Sequence, residues 1–157
     1  MILLLKMLRL SRSILLLILT GFSSLVFSAE TSSILTLTNK NLKSITELKW
    51  QHRIILIKED TSCDQHIENL ITAKLEIDDR HILWFLICNN KLETNYTGTV
   101  DSDFATNISN KFFVSNNDKA ILIGKDGGVK RRTESLNLIG LFALIDTMPM
   151  RQSEMRR

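Results

Sequence analysis

One proline, two cysteines and six glycines in 157 residues exclude several classes of protein at the outset. The lone proline, Pro149, and the few glycines leave no Pro/Gly-rich linker and no low-complexity tract. No internal repeat divides the chain, so a single domain is expected. Two cysteines fall short of the four ligands that a structural zinc site normally takes. Charge of one sign is also lacking. The formal net charge of +3 comes wholly from Lys6, Arg9 and Arg12, because no acidic residue precedes Glu30; setting those three aside from the 20 basic residues leaves 17 against 17 acidic ones. A formally neutral domain has no electrostatic claim on a phosphate backbone, so no nucleic-acid partner is expected. Long hydrophobic runs are missing too: the apolar stretch from Ile14 to Phe27, interrupted by Thr20 and Gly21, is shorter than the roughly 20 residues of a membrane-crossing helix.

What the N-terminus does have is a basic start, that short apolar run, and the small residues of Val26-Phe27-Ser28-Ala29. This is the pattern of a signal peptide over residues 1–28 or 1–29, with a single domain over 30–157 and a secreted or periplasmic destination. The competing reading is a signal anchor in the inner membrane, since Ile2 to Leu5 lengthens the apolar segment; either way the membrane is met only through the leader. About 128 residues remain, enough to bury roughly two-thirds of the unfolded surface without a staple. Export gives Cys63 and Cys88 a new meaning, because a close pair of thiols oxidises outside the cytosol. Asn95-Tyr96-Thr97 and Asn107-Ile108-Ser109 fit the glycan-acceptor pattern, which arises by chance in Asn-rich sequence.

Periodicity predicts an α/β order. Thr38 or Asn39 caps a short helix with Leu42, Ile45 and Leu48 on one face. His52 to Lys58 and His81 to Cys88 are unbroken apolar runs of the kind found in parallel strands covered on both faces. Between them a helix opens at Ser62, with Gln65 completing a capping box, and runs to about Leu75. The β-α-β crossover is right-handed, which sets both strand C-termini at one sheet edge. Asn89 to Val100 is a loop with room for a short edge strand, and a helix capped by Asp101 or Ser102 follows through Phe104, Ile108 and Phe112. Lys125-Asp126-Gly127-Gly128 is the turn of a hairpin between Ala120–Gly124 and Val129–Arg132, with Asp-Gly in the tight turn and the second glycine easing a bulge. A last helix from Ser135 to Met148 carries Leu138, Leu141, Phe142 and Ile145 on one side, and Pro149 stops it.

That order is thioredoxin-like: a central mixed sheet, made of a parallel β-α-β unit and a C-terminal β-hairpin, flanked by helices. Two strings sharpen the resemblance, the Gly-Lys-Asp-Gly-Gly-Val-Lys of residues 124–130 and the Ile-Asp-Thr-Met-Pro-Met-Arg-Gln-Ser-Glu of residues 145–154. Together with Leu48-Lys49-Trp50 and Asp79-Arg80, they resemble a family of bacterial domains of unknown function, P-DUDES-type domains, also found in animal extracellular proteins and described as peroxiredoxin-like in fold. The resemblance spans about Leu42 to Glu154. It implies a thioredoxin-like domain of the cell envelope without an established reaction, and it marks Lys125, Asp126, Gly127, Gly128, Lys130, Asp146, Pro149, Arg151 and Glu154 as a surface of interest.

The chemistry leaves two functions open. Cys63 lies at the first turn of a helix after the first strand, where free N–H groups and the helix dipole stabilise a thiolate. With His66 beside it and Cys88 to resolve it, a thiol oxidoreductase or peroxiredoxin-like enzyme is conceivable. Against this, His66 stands where a dithiol enzyme has its second cysteine, Asp64 opposes thiolate formation, and no proline precedes Pro149 to provide the cis-proline of such enzymes. The structural reading has Cys63 and Cys88 either bridged or as two separate thiols. His66 near Cys63 gives only two metal ligands, and His52 and His81, at strand starts, read as surface residues, so no metal and no cofactor is expected. Gly124 to Gly128 lacks the Gly-Lys-Ser/Thr ending of a phosphate loop. Lys125, Lys130, Arg131 and Arg132 read as a solvated basic edge. The segment from Asp146 to Glu154 reads as helix termination with Arg151 paired to Asp146 or Glu154, or as a docking site rich in methionine. The favoured function is therefore a non-catalytic binding or scaffold module for an unknown protein or small molecule.

Overall fold

The computed structural model describes residues 41–115 and 117–156. The expected leader and the Thr38 and Asn39 caps lie outside them. Ser44 instead caps a single 3-10 turn, Ile45–Leu48, in a capping box with Glu47. The chain then alternates as expected. β1 (Arg53–Glu59) leads into α1 (Cys63–Thr72) and α2 (Lys74–Asp79), followed by β2 (Ile82–Cys88) and β3 (Lys91–Thr94). After α3 (Phe104–Phe112) come the hairpin β4 (Ala120–Ile123) and β5 (Val129–Thr133), then α4 (Leu138–Asp146) and α5 (Pro149–Glu154).

The five strands form one mixed sheet in the order β3-β2-β1-β4-β5. β1 runs parallel to β2, pairing Arg53 with Ile82 through Glu59 with Cys88, and antiparallel to β4. Alternation along β1 builds two apolar layers. Ile54 and Leu56 join Phe85, Phe104, Ile108 and Phe112 on one face, under α3 and the 3-10 turn. Ile55 and Ile57 join Leu70, Ile77, Leu141, Phe142 and Ile145 on the other, under α1, α2 and α4. Coverage on both sides is why β1 and β2 are continuous apolar runs rather than alternating ones.

Several local expectations are corrected. β1 begins one residue later than expected because the His52 amide is spent on Leu48 O, closing the preceding turn. The Ser62 hydroxyl makes no capping bond, and Gln65 reaches forward to Asn69 instead of back to Ser62. The helix does not end at Leu75; it breaks at Ala73 and resumes as α2. The last helix is shorter than expected, Asn137 caps it through Gly140 N, and Pro149 starts a further helix at its first position, where a missing N–H costs nothing. Gly127 takes φ 78° in the hairpin but Asp126 does not share the positive φ of a two-residue Asp-Gly turn; Gly127 N instead donates to Gly124 O, and the register shift falls between Leu122 and Ile123 rather than at Gly128. Asn95 commits its side chain to β2, accepting from Trp84 N and donating to Ile82 O, so its amide is not a free acceptor for a glycan. Among the described residues no helix is long and apolar enough to cross a membrane.

Candidate functional site

The parallel pairing of β1 and β2 gives the sheet two distinct ends. At the C-terminal end, Glu59 and Cys88 are register partners and Cys63 is the first residue of α1, so the two cysteines face each other across the strand ends. They are joined in a disulfide with Cα atoms 6.1 Å apart, which resolves the open choice between bridge and separate thiols. Both residues are half-buried. Around them the charges are mixed. Glu59 accepts hydrogen bonds from Asp60 N and the Thr61 hydroxyl, stands 3.6 Å from Lys119 Nζ, and lies 3.8 Å from His66 Nε2. The Asp60 N–H is the largest influence holding the Glu59 carboxyl below its ordinary value, against a contrary push from burial. His66 is thus tied to a carboxylate, not to sulfur, and its Nδ1 is buried without a partner. Among the described residues, no three or more His, Cys, Asp and Glu side chains gather as a metal site.

The N-terminal end carries the residues of the two motifs. Arg53, at the start of β1, is 1% exposed. Its Nη1 donates to Arg80 O at 2.9 Å and to Glu154 Oε2 at 3.0 Å. Lys125, from the hairpin turn, donates from Nζ to Glu154 Oε1 at 2.8 Å and lies 2.9 Å from His81 Nδ1. An ammonium group has no lone pair to offer, so in this contact His81 Nδ1 is the acceptor. Glu154 thereby bridges the two motifs. Desolvation pushes its carboxyl upward, but the hydrogen bonds and charges of Lys125 and Arg53 outweigh this and hold it below the ordinary carboxylate value.

A second ion cluster adjoins the first. Arg80 grips Asp146 with Nε at 3.0 Å and Nη2 at 2.6 Å while its guanidinium lies over the Phe142 ring. Arg151, itself buried, donates from Nε to Asp146 Oδ1, from Nη1 to Asp79 O, and from Nη2 to the Asp79 carboxylate. Burial is the largest influence on Asp146 and acts upward, yet the two arginines together keep it below its usual range. Of the two expected partners, Arg151 takes Asp146 and not Glu154. Lys125 is no solvated edge residue: it is 9% exposed. Asp126 does stay at the surface, paired with Lys130 at 2.6 Å.

Between the hairpin and the start of α5 lies a cleft of about 290 Å³, with Arg53, Lys125 and Lys130 on one side and Met148, Pro149 and Met150 on another. Met150 is exposed while Met148 packs against the core. Two bulky residues at this end hold left-handed backbone, Trp50 at φ 65° and His81 at φ 51°. Such conformations in non-glycine residues are uncommon and persist where the surroundings impose them. Here the Trp50 amide donates to Lys125 O at 2.7 Å and the His81 carbonyl accepts from Arg53 N. Sequence reasoning missed Arg53 altogether; the available signal was an arginine opening an otherwise apolar strand.

Over residues 44–154 the sequence matches the family described as "Domain of unknown function (DUF4174)". No curated protein matches it. Among solved structures, the chain is similar to reduced 2-Cys peroxiredoxin of Plasmodium vivax, at 16% identity and TM-score 0.47, over 69% of this chain and 84% of that one. It is also similar to the reduced N-terminal domain of PilB from N. meningitidis, at 19% identity and TM-score 0.41, over 64% of this chain and 83% of that one.

Proposed function

The chain belongs to the DUF4174 family, whose description assigns no reaction, and we propose on that premise that it is a binding module whose site is the cleft at the N-terminal end of the sheet. The observation that carries the reading is convergence. Lys125 and Lys130 of one motif meet Met148, Pro149 and Met150 of the other on one cleft, and Glu154 ties the two together underneath. Strained backbone at Trp50 and His81 beside this cleft supports the same assignment. In this reading the Cys63–Cys88 bridge is a staple of an exported domain, in keeping with an oxidising compartment.

One observation favours a second reading. Cys63 is half-buried, not sealed, at the first residue of a ten-residue helix, the position from which a thiolate is stabilised. A dithiol oxidoreductase would alternate between the bridge and a Cys63 thiolate. Against it stand Asp64, the next residue in sequence after Cys63, and a His66 whose Nε2 faces the Glu59 carboxylate at 3.8 Å.

Thiol counting on the purified, denatured protein, followed by turnover assays with hydrogen peroxide and with insulin disulfides, separates the two. The binding module has no titratable thiol before reduction, and wild type and Cys63→Ser are equally inert. Turnover that depends on Cys63 would overturn it.

A further inference from the structure

We infer that the cleft takes a monocarboxylate carried on an apolar body, gripped through its charge by Arg53 and Lys125; this rests on the cleft being the binding site. The first step is a charge count. Arg53 and Lys125 share one carboxylate, Glu154, while Lys130 and Asp126 cancel as a pair. One positive charge is left over at the cleft. Arg80, Arg151, Asp79 and Asp146 offset one another beside it, two against two, and so do not absorb the surplus. The neighbouring imidazole of His52 senses it: burial first, and then the Lys125 charge, hold it below its ordinary value.

The second step concerns which donors remain. Arg53 spends only Nη1 on the protein, and its Nε and Nη2 make no hydrogen bond among the described residues. Arg53 forms part of the cleft wall but is only 1% exposed, so a carboxylate meets those donors only where that wall gives way to it. Nε and one Nη present a planar two-donor edge that matches the two oxygens of a carboxylate. The guanidinium is pre-positioned by its bonds to Glu154 and Arg80 O, so little order is lost on binding.

The third step concerns the rest of the ligand. Met148, Pro149 and Met150 form the facing wall, and methionines adapt to apolar shapes. A space of about 290 Å³ holds a body of several carbons but not a large cofactor. A fatty acid or a peptide C-terminus with an apolar last residue supplies the same chemistry.

The test is titration of the 15N-labelled protein by NMR with four probes: hexanoate, hexanol, hexylamine and N-acetylglycyl-leucine. Shifts are expected at Gly124, Lys130 and Met150 with hexanoate, at least tenfold tighter than with hexanol, and none with hexylamine. Tighter binding of the dipeptide assigns the carboxylate to a peptide terminus, and tighter binding of hexanoate assigns it to a free acid. Arg53→Lys keeps the charge but loses the two-donor edge and weakens hexanoate several-fold. Because Arg53 is buried, a surface pair guards against misfolding: Met150→Glu cancels the surplus charge and binds hexanoate at least tenfold more weakly than Met150→Gln, which changes the same wall without adding a charge. Equal binding of hexanol and hexanoate, or hexanoate binding that survives Met150→Glu, would overturn the carboxylate and leave the cleft as a binding site. Absence of any shift at the cleft with all four probes would overturn both.

Discussion

Removing the Cys63–Cys88 bridge by Cys63→Ala/Cys88→Ala gives the sharpest test of whether it is a staple. The bridge closes a loop with a sequence separation of 25. In the chain-entropy account, cross-linking a loop of that size removes about 12 cal/mol/K from the unfolded ensemble, or about 3.5 kcal/mol at 25 °C. The loop encloses all of α1, α2 and β2, so its opening frees segments that otherwise must find each other by diffusion. For a domain of this size the unfolding entropy is about 0.24 kcal/mol/K, which turns the loss into a fall of roughly 14 °C in Tm. Scanning calorimetry of the wild type, the double variant and the wild type in reductant measures it. The double variant and the reduced wild type should melt together, well below the oxidised protein, with the native fold retained below the transition. A shift of less than about 4 °C would refute the reasoning, since a bridge that restrains the unfolded chain so weakly is not acting as a staple.

Two further perturbations address the ion clusters. Acid should destabilise the fold in two stages. The folded His52 has a lowered pKa, so its stabilising contribution is complete above its unfolded value, about 6.5, and declines as pH falls below it. Glu154 and Asp146 are likewise lowered, so their contributions are present above about pH 4 and are lost as pH falls through their folded values. Urea midpoints from pH 8 to pH 2.5 should therefore decline first near pH 6 and again below pH 4; a profile flat from pH 5 to pH 3 contradicts the carboxylate part. Arg151→Met leaves Asp146 with Arg80 alone and Asp79 without its closest cation. Because Asp79 is 60% exposed and screened, the cost is about 2 kcal/mol rather than the 3–5 of a sealed pair. Equilibrium unfolding in urea measures this, and a loss under 0.5 kcal/mol would place the cluster outside the stability of the domain.

The strands were legible because burial on both faces leaves a local trace: Ile-Ile-Leu-Ile and Ile-Leu-Trp-Phe-Leu-Ile are unbroken apolar runs. The helix order followed from apolar spacing, and the hairpin from Asp-Gly. What stayed hidden depends on residues far apart. Lys125 read as a solvated turn lysine since nothing near it in sequence reveals Glu154, 29 positions on. Arg53 meets the same glutamate across 101 positions. Local signals also misdirected: Ser62 and Gln65 have the letters of a capping box, yet Glu59 bonds Asp60 N and the Thr61 hydroxyl ahead of that helix start. The pairing of Cys63 with Cys88 was one of two open readings, since spacing alone cannot tell a bridge from two neighbouring thiols.

Under the proposed reading, the unequal charge at the N-terminal end is what sets a site there apart from a structural cluster. A buried ion group shaped by stability alone gains from full compensation, since an uncompensated charge away from water is costly. The Arg80–Asp146–Arg151–Asp79 group follows that rule, with two cations and two anions. The Arg53–Lys125–Glu154 group does not: two cations face one carboxylate, and they do so beside an open cleft instead of deep in the core. The fold keeps Arg53 charged and nearly enclosed while leaving part of its guanidinium without a protein partner. An anion entering the cleft would supply the missing compensation, so under the proposed reading the strain of holding this charge and the affinity for a ligand are one quantity seen from two sides.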